Sequence, residues 1–382
     1  MTSFERNVIG WDVGGAHVKA CLLQRGEVTD VAQWACPLWQ GMEKLAPVVQ
    51  AVCARWPGLG SVQHAVTMTG EMVDLFAHRE DGVRRIAAEL ARLLAVPSAA
   101  TQGADANAVY FFAGDAGWCR GVDVASRWEA IASANWLATA RHAALYFGDG
   151  FLVDVGSTTT DLIAFESGRV TSTGRTDAQR LASGELVYHG VVRTPLCALA
   201  RRVAWRGAPH NVMNEFFATS ADVYRLTGEL DAAHDLYPSA DSAAKDLPAT
   251  RQRLARMVGL DQREGSADDW LAFARSWREA QVAEIGSQLR RVMAAHRLGR
   301  EAVVVSAGCG DFLVPDVLAH ATAGIASEAS AGQRLASYGR DVARVAASTA
   351  PSTAADRASV QAWAQVCAPC VAAATLFDRE QR

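Results

Sequence analysis

Asp12 and Lys19 stand seven residues apart, and so do Asp154 and Asp161, about 140 residues further on. Between the members of each pair runs a stretch of small residues, Val13-Gly14-Gly15-Ala16-His17-Val18 in the first and Val155-Gly156-Ser157-Thr158-Thr159-Thr160 in the second. A carboxylate just before a glycine turn repels phosphate, but it can hold a divalent cation or a water that a phosphate also touches. The turn has to bring backbone N–H groups close to an anion, which favours residues without bulk at Cβ, hence Gly14, Gly15 and Ala16 in one loop and Gly156 in the other. Ser157, Thr158, Thr159 and Thr160 add hydroxyl donors. On a hairpin the seventh residue folds back beside the turn, so Lys19 is placed to reach a phosphate and Asp161 a metal. Two copies of one phosphate-gripping hairpin are expected.

The elements that position these residues follow from apolar patterning. Strands are expected at about 7–13, 17–24 and 27–35, a helix near 43–56, and a strand at 62–68 that ends in Met68-Thr69-Gly70-Glu71. A polar turn after an apolar run is where open α/β sheets meet ligands, which makes Glu71 a candidate. A helix at 81–95 carries Ile86, Leu90, Leu93 and Leu94 on one stripe, strand signal returns at 108–112, and Ala130 to Phe147 reads as one continuous helix joining the halves. The second half repeats the order with strands at 151–155, 160–166 and 169–174, a further strand or strand-helix element from Val212 to Ala218, and a polar helical stretch at 219–256. A helix at about 268–297 and a strand at 302–306 lead to Ala307-Gly308-Cys309-Gly310, and a final helix runs from Asp356 to Leu376 after a flexible linker, Ser348 to Thr353. Meander then helices, twice over, predict an α/β protein of two ribonuclease-H-like lobes around a central cleft. The first lobe is expected to span 1–148, with 355–382 returning to it. The second spans 149–354, with a helical insertion near 219–298.

Composition narrows the class further. The chain has 382 residues, 50% of them apolar and 20% charged, with a net charge of −4. That balance offers no broad basic surface for nucleic acid. No stretch approaches the roughly 18 uninterrupted apolar residues that span a bilayer, and no signal-peptide core precedes the first strand, so no membrane partner and a cytoplasmic location are expected. Of eight cysteines, only Cys367 and Cys370 share a motif. A lone Cys-x-x-Cys in an Ala-rich apolar segment reads as packing.

These loops resemble those of the acetate kinase, actin, heat-shock chaperone and sugar kinase superfamily, which opens each half of its fold with such a turn. Asp154 to Asp161 is most similar to the loop of the hydantoinase and oxoprolinase branch. Ala307, Gly308 and Gly310 match the glycine pair that lies under adenosine in that superfamily. Within the branch, the closer resemblance is to a group of short proteins linked to tetrahydromethanopterin-dependent C1 transfer and to archaeal methanofuran biosynthesis. It rests on Ser133-Ala134-Asn135-Trp136, on Gly184 to Pro195 and on Phe217 to Tyr224, besides the loop itself.

The resemblance implies an actin-like ATPase fold and a transferase. It would condense an aminomethylfuran methyl diphosphate with tyramine or a glutamyltyramine and release diphosphate. Lys19 and the Gly14–Ala16 and Ser157–Thr159 backbones would then grip the diphosphate, and Asp12, Asp154 and Asp161 would hold Mg²⁺ through waters. A phenol loses its proton near pH 10, so a base would help, with Glu71, His17 and Asp222 as unranked candidates. Two alternatives stay open: an ATP-dependent kinase or amidohydrolase using the same loops, and a nucleotide-responsive binding protein.

Overall fold

The computed structural model describes residues 6–59, 61–94, 108–172, 174–296, 298, 302–324, 334–346 and 354–381. The expected linker at 348–353 lies outside them. The chain divides into two compact units. The first comprises Met1–Gly148, Phe165–Asp177 and Ala336–Arg382, and the second Asp149–Ala164 and Ala178–Leu335. Residues 165–177 and 336–346, read from the sequence into the second lobe, thus fall with the first unit.

The first sheet holds β1 (Asn7–Val13), β2 (His17–Gln24), β3 (Glu27–Ala35), β4 (Val62–Met68), β5 (Val109–Phe112) and β6 (Trp118–Cys119), in the order β3-β2-β1-β4-β5-β6. β1, β2 and β3 form the expected antiparallel meander, while β4 lies parallel to β1 and β5 parallel to β4. Alternation along β1 sends Ile9, Trp11 and Val13 into a core shared with helices Leu45–Arg55 and Arg79–Leu94. Gly10 and Asp12 point the other way, toward helix Ala368–Glu380, which lies against β1, β2, β4 and helix Asn135–Phe147. That helix is buried from Ala368 to Asp378. It comes so close that a Cβ on Gly10 would stand 2.8 Å from the Ala374 Cβ. Only glycine fits there.

Two expected helices are broken. Ala354–Val366 and Ala368–Glu380 meet at Cys367 with a bend of 98°, because Pro369 belongs in the first turn of a helix and would disrupt the interior of a continuous one. Cys367 and Cys370 are buried free thiols beside this break. The expected helix from 130 to 147 is likewise split into Trp128–Ile131 and Asn135–Phe147 by Ser133, which adopts a left-handed backbone with φ of 49°. No single helix among the described residues is long and apolar enough to cross a membrane.

The second sheet contains β7 (Gly150–Val155), β8 (Thr160–Glu166) with β9 (Arg169–Val170) paired to it, β10 (Leu186–Val187), β13 (Val303–Ala307) and β14 (Leu335–Ser337). Its order is β10-β8-β7-β13-β14, and β13 runs parallel to β7. β11 (Arg202–Trp205) and β12 (Ala208–Asn211) form a separate hairpin. The expected strand at 212–218 is absent: those residues are irregular, tied by the Val212 N–H to the Arg201 carbonyl at 3.0 Å and by the Met213 N–H to the Met257 carbonyl at 2.9 Å. The helices at Ser220–Thr227, Leu247–Arg256 and Ala267–His296 are no detached insertion. Tyr224, Leu254, Trp270, Phe273 and Trp277 share one core with Phe151, Val153 and Val155 of β7.

Two buried histidines in the first unit make its stability acid-sensitive. The His64 Nδ1 accepts the Trp11 indole N–H at 3.1 Å, and burial pushes this imidazole down to about 4. His142 sits 2.7 Å from the Tyr338 hydroxyl, which itself donates to the Ala368 carbonyl, so the imidazole donates from Nδ1; burial pushes it down to about 3. Both are neutral when folded and take up a proton near pH 6.5 when unfolded, so the unfolded state binds more protons and stability falls as pH drops below about 6.5. Each should cost about 2 kcal/mol by pH 5. Thermal melting from pH 7.5 to 5 should show this decline, and His142→Phe should flatten it; an unchanged pH slope in that variant would remove His142 from the account.

Candidate functional site

Both loops close in the same way. The Gly14 N–H donates to the His17 carbonyl at 2.9 Å, and the Gly156 N–H to the Thr159 carbonyl at 2.8 Å. In the first hairpin this closure pairs Asp12 with Lys19 across the strands. By the same count Asp154 stands opposite Asp161 in the second. The closure also corrects one expectation: the N–H groups of Gly14 and Gly156 are spent on the turn, so these glycines shape the loop without donating to an anion.

Other groups do face outward. Behind the second loop, the Val191 N–H donates to the Gly156 carbonyl at 3.0 Å, and the N–H groups of Val192 and Arg193 donate to the Ser157 carbonyl at 3.0 and 2.8 Å. A planar trans peptide points its C=O and N–H in opposite directions, so the N–H groups of Ser157 and Thr158 turn away from this brace. Among the described residues the N–H groups of Ser157, Thr158 and Thr159 have no hydrogen-bond partner. Successive free N–H groups in a turn make a concavity suited to an anion. Gly190 permits the brace, since a Cβ there would fall on the Ser157–Thr158 peptide. The first loop is held from behind in a like manner, by Leu38 N–H on the Gly15 carbonyl at 3.0 Å and Cys36 N–H on the Ala16 carbonyl at 2.8 Å.

Charge differs between the two turns. Lys19 Nζ lies 3.9 Å from the Asp12 carboxylate, which is buried. In the second unit Asp161 is ion-paired with Arg180, whose side chain is 2% exposed on helix Asp177–Ser183. Arg180 therefore neutralises one of two facing carboxylates. The glycine pair joins this loop: β13 sets Ala307 beside Asp154, the Gly310 N–H donates to the Val155 carbonyl at 2.8 Å, and Gly308, with φ of 87°, approaches the Asp154 carboxylate so closely that a Cβ would meet it.

Next to the first loop, β4 ends in a turn that puts Glu71 at the carboxyl end of the parallel strands. The Thr69 N–H donates to the Val13 carbonyl at 3.0 Å. Glu71 is buried, and its Oε1 accepts from the Ser133 hydroxyl at 2.8 Å and from Arg79 Nη2 at 3.2 Å. The same Nη2 donates to the Ser133 Oγ at 2.7 Å and reaches Asp177 at 3.5 Å. Burial pushes the Glu71 carboxyl up, against the opposing pull of Ser133 and Arg79. Arg79, Asp177 and Arg180 were not singled out in the sequence, where each is one charged residue in a polar helical start. Ser133 was, but without a role.

Of the other two base candidates, His17 is a buried residue of β2 in register with Ala35 of β3. Asp222 is corrected outright. Its Oδ1 accepts from Arg225 at 2.7 Å and from the fully buried Arg253 at 2.8 Å, and its Oδ2 accepts the Thr219 N–H at 3.1 Å. Two guanidiniums and a helix cap occupy both oxygens, so this carboxylate holds structure. As for metal, no group of three or more His, Cys, Asp or Glu among the described residues is placed to hold an ion by itself. Mg²⁺ commonly binds through one or two carboxylates, waters and substrate phosphates, a mode that asks for Asp154 rather than the Arg180-paired Asp161.

Two mixed α/β units with paired glycine hairpins define the class, and the chain belongs to the hydantoinase/oxoprolinase family, whose model matches residues 63–348. Among characterised proteins it is 26% identical over 313 residues to (4-{4-[2-(gamma-L-glutamylamino)ethyl]phenoxymethyl}furan-2-yl)methanamine synthase of Methanocaldococcus jannaschii, covering 81% of this chain and 88% of that protein. A synthase of the same name from Methanococcus vannielii is 28% identical over 171 residues, 45% of this chain and 75% of that one. Among solved structures, nucleotide-free acetone carboxylase aligns with a TM-score of 0.50 at 12% identity, over 85% of this chain and 68% of that chain, a likeness of fold.

Two substitutions separate anion grip from structure. Gly190→Ala should displace the Ser157–Thr158 peptide and weaken pyrophosphate binding at least about tenfold, roughly 1.4 kcal/mol by calorimetry, with the circular dichroism spectrum kept. Unaltered affinity would detach the brace from ligand binding. Asp222→Asn should lower stability by about 3 kcal/mol by leaving Arg253 buried beside a neutral partner, while the folded fraction turns over normally. A loss of turnover without a lower melting temperature would restore Asp222 as a base.

Proposed function

We propose that this protein is an enzyme that forms an aryl furfuryl ether, joining the phenol of tyramine or a glutamyltyramine to an aminomethylfuran methyl diphosphate in the biosynthesis of a methanofuran-type cofactor. The observation that carries the reading is the match across 81% of the chain to a synthase whose product name contains a phenoxymethylfuran. Such an ether arises when a phenolic oxygen replaces a leaving group on a furfuryl carbon. The furan ring stabilises positive charge at that carbon, so the barrier lies mainly in the negative charge gathering on the departing diphosphate.

The second-unit loop suits that demand. The brace holds the outward N–H groups of Ser157 and Thr158 in place before any ligand arrives, so they need no reorganisation. In the first unit Lys19 supplies a cation beside its own glycine turn, and Gly15 and Ala16 shape the approach. Mg²⁺, when bound, would neutralise diphosphate charge, and Asp154 is the residue that would hold it through waters; Asp12 is engaged by Lys19 and Asp161 by Arg180. At neutral pH only about a thousandth of a phenol is ionised, so the chain also needs a proton acceptor.

A second reading, ATP-dependent phosphoryl or amide chemistry, draws on the family and on Gly308 and Gly310 beside the second loop. One assay divides the two. The protein is mixed with Mg²⁺ and either a furfuryl diphosphate plus tyramine or ATP alone, and diphosphate, phosphate and ADP are followed. Diphosphate release that requires the phenol is expected, whereas ADP formation without ether would overturn the reading. Asp154→Asn should cut turnover by a factor of about 100 or more with folding retained. Lys19→Ala should raise the KM for the diphosphate substrate more than that for the phenol, and equal effects on both would contradict its assignment.

A further inference from the structure

The cluster around Glu71 contains two buried polar atoms without partners. Among the described residues Glu71 Oε2, an acceptor when ionised, and Arg79 Nε–H, a donor, have no hydrogen-bond partner, although both belong to side chains otherwise tied into one network. Leaving such groups unpaired costs about 1–3 kcal/mol each, more when charged. The network is built at some expense: Ser133 holds a left-handed backbone conformation unusual for a residue other than glycine, and Gly82 is needed because a Cβ would stand 2.7 Å from the Glu71 Cα. Strain and unpaired polarity in one place, at the carboxyl ends of β1 and β4, mark a site prepared for a group that is not protein.

One acceptor and one donor left over in the same buried network fit a hydroxyl, which has a proton to give and lone pairs to receive one. We propose that Glu71 and Arg79 receive the phenolic hydroxyl of the acceptor substrate, Glu71 Oε2 taking its proton and Arg79 Nε–H stabilising the oxygen left behind, with Ser133 as the positioning residue. The inference rests on the ether-forming reading above. In the step, the phenolic O–H bond breaks and its proton goes to Oε2. The oxygen's electron pair forms the new bond to the furfuryl carbon, and the C–O bond to diphosphate breaks with its pair leaving on diphosphate. The charged and hydrogen-bonding groups acting on Glu71 are Arg79 from helix Arg79–Leu94, Ser133 from the helix break, its own backbone N–H and, through Arg79, Asp177. Glu80 and Asp81 of the same helix are paired outward with Arg84 and Arg85. Burial raises the Glu71 carboxyl, which makes its ionised form a stronger base.

The test uses a series of acceptors, tyramine and its mono- and difluorinated ring analogues, whose phenols are progressively more acidic. Turnover of wild type is expected to depend weakly on fluorination. Glu71→Gln should be slower by about 100-fold or more with tyramine and should recover markedly with the difluoro analogue, its rate rising with pH toward the phenol's own ionisation. Arg79→Lys should lose less than Arg79→Met, and Ser133→Ala, which keeps both reacting groups, should fall between wild type and Glu71→Gln while melting within a few degrees of wild type. Equal dependence on fluorination in wild type and Glu71→Gln would overturn the proposal while leaving ether synthesis standing. Should the wild type make no ether from any phenol, binding of the difluoro analogue still decides: a phenolate absorption band that appears on binding and is lost in Arg79→Met supports the site. Absence of that band, with only water filling the gap, refutes it.

Discussion

A peptide whose carbonyl is captured from behind must send its N–H forward, and the second hairpin depends on that constraint. Gly156 and Ser157 give their carbonyls to Val191, Val192 and Arg193, and the donors of Ser157 and Thr158 are thereby fixed in the opposite direction. Hydroxyls and side-chain charges can rotate, whereas these amides cannot without breaking one hydrogen bond at Ser157 or two at Thr158. The need for glycine follows from the same constraint. At Gly190 the brace must lie against the loop peptide, and at Gly308 the neighbouring strand must pass the Asp154 carboxylate, so neither position has room for a side chain.

The same hairpin is tuned in opposite electrostatic directions. Across the first turn stand an acid and a base, Asp12 and Lys19, which offset one another. Across the second stand two acids, an arrangement that is unfavourable by itself, and the buried Arg180 resolves it by binding Asp161. Burying a guanidinium is costly unless it is paired, and breaking such a pair costs far more than the pair contributes. One sheet motif, repeated, thus yields one turn that sets a lysine across from its acid and another whose second acid is matched by a buried arginine.

How much of this was legible beforehand depended on how local the cause was. The strands 7–13, 17–24, 27–35 and 62–68 follow from period-two alternation and were readable to the residue, as were the two turns from their glycines. The break at Cys367 had a local signal in Pro369, outweighed by a long apolar run. Ser133 had none, because nothing in Ser-Ala-Asn-Trp announces a left-handed residue; the conformation is imposed by hydrogen bonds to Glu71 and Arg79, 62 and 54 positions away. Arg79 and Arg180 were hidden for a related reason. Charged residues in the first turns of polar helices look solvated until the fold buries their partners. The stretch 212–218 carried apolar residues enough for a strand, but its backbone is claimed by Arg201 and Met257 and has no sheet edge to join.

Burial alone does not separate a structural carboxylate from a reactive one, and Glu71 and Asp222 make the distinction concrete. Each is about 1% exposed and each touches arginine. Asp222 divides its two oxygens among Arg225, Arg253 and a helix-capping N–H, so every lone pair that points into the protein is used and the group can do nothing further without loss. Glu71 takes both of its side-chain donors on a single oxygen and, among the described residues, leaves the other without one. A fold selected only for stability would satisfy that second oxygen, since Ser133 already strains its backbone to satisfy the first. The asymmetry is therefore better explained by a missing partner than by imperfect packing, and the partner has to be small, polar and able to give up a proton.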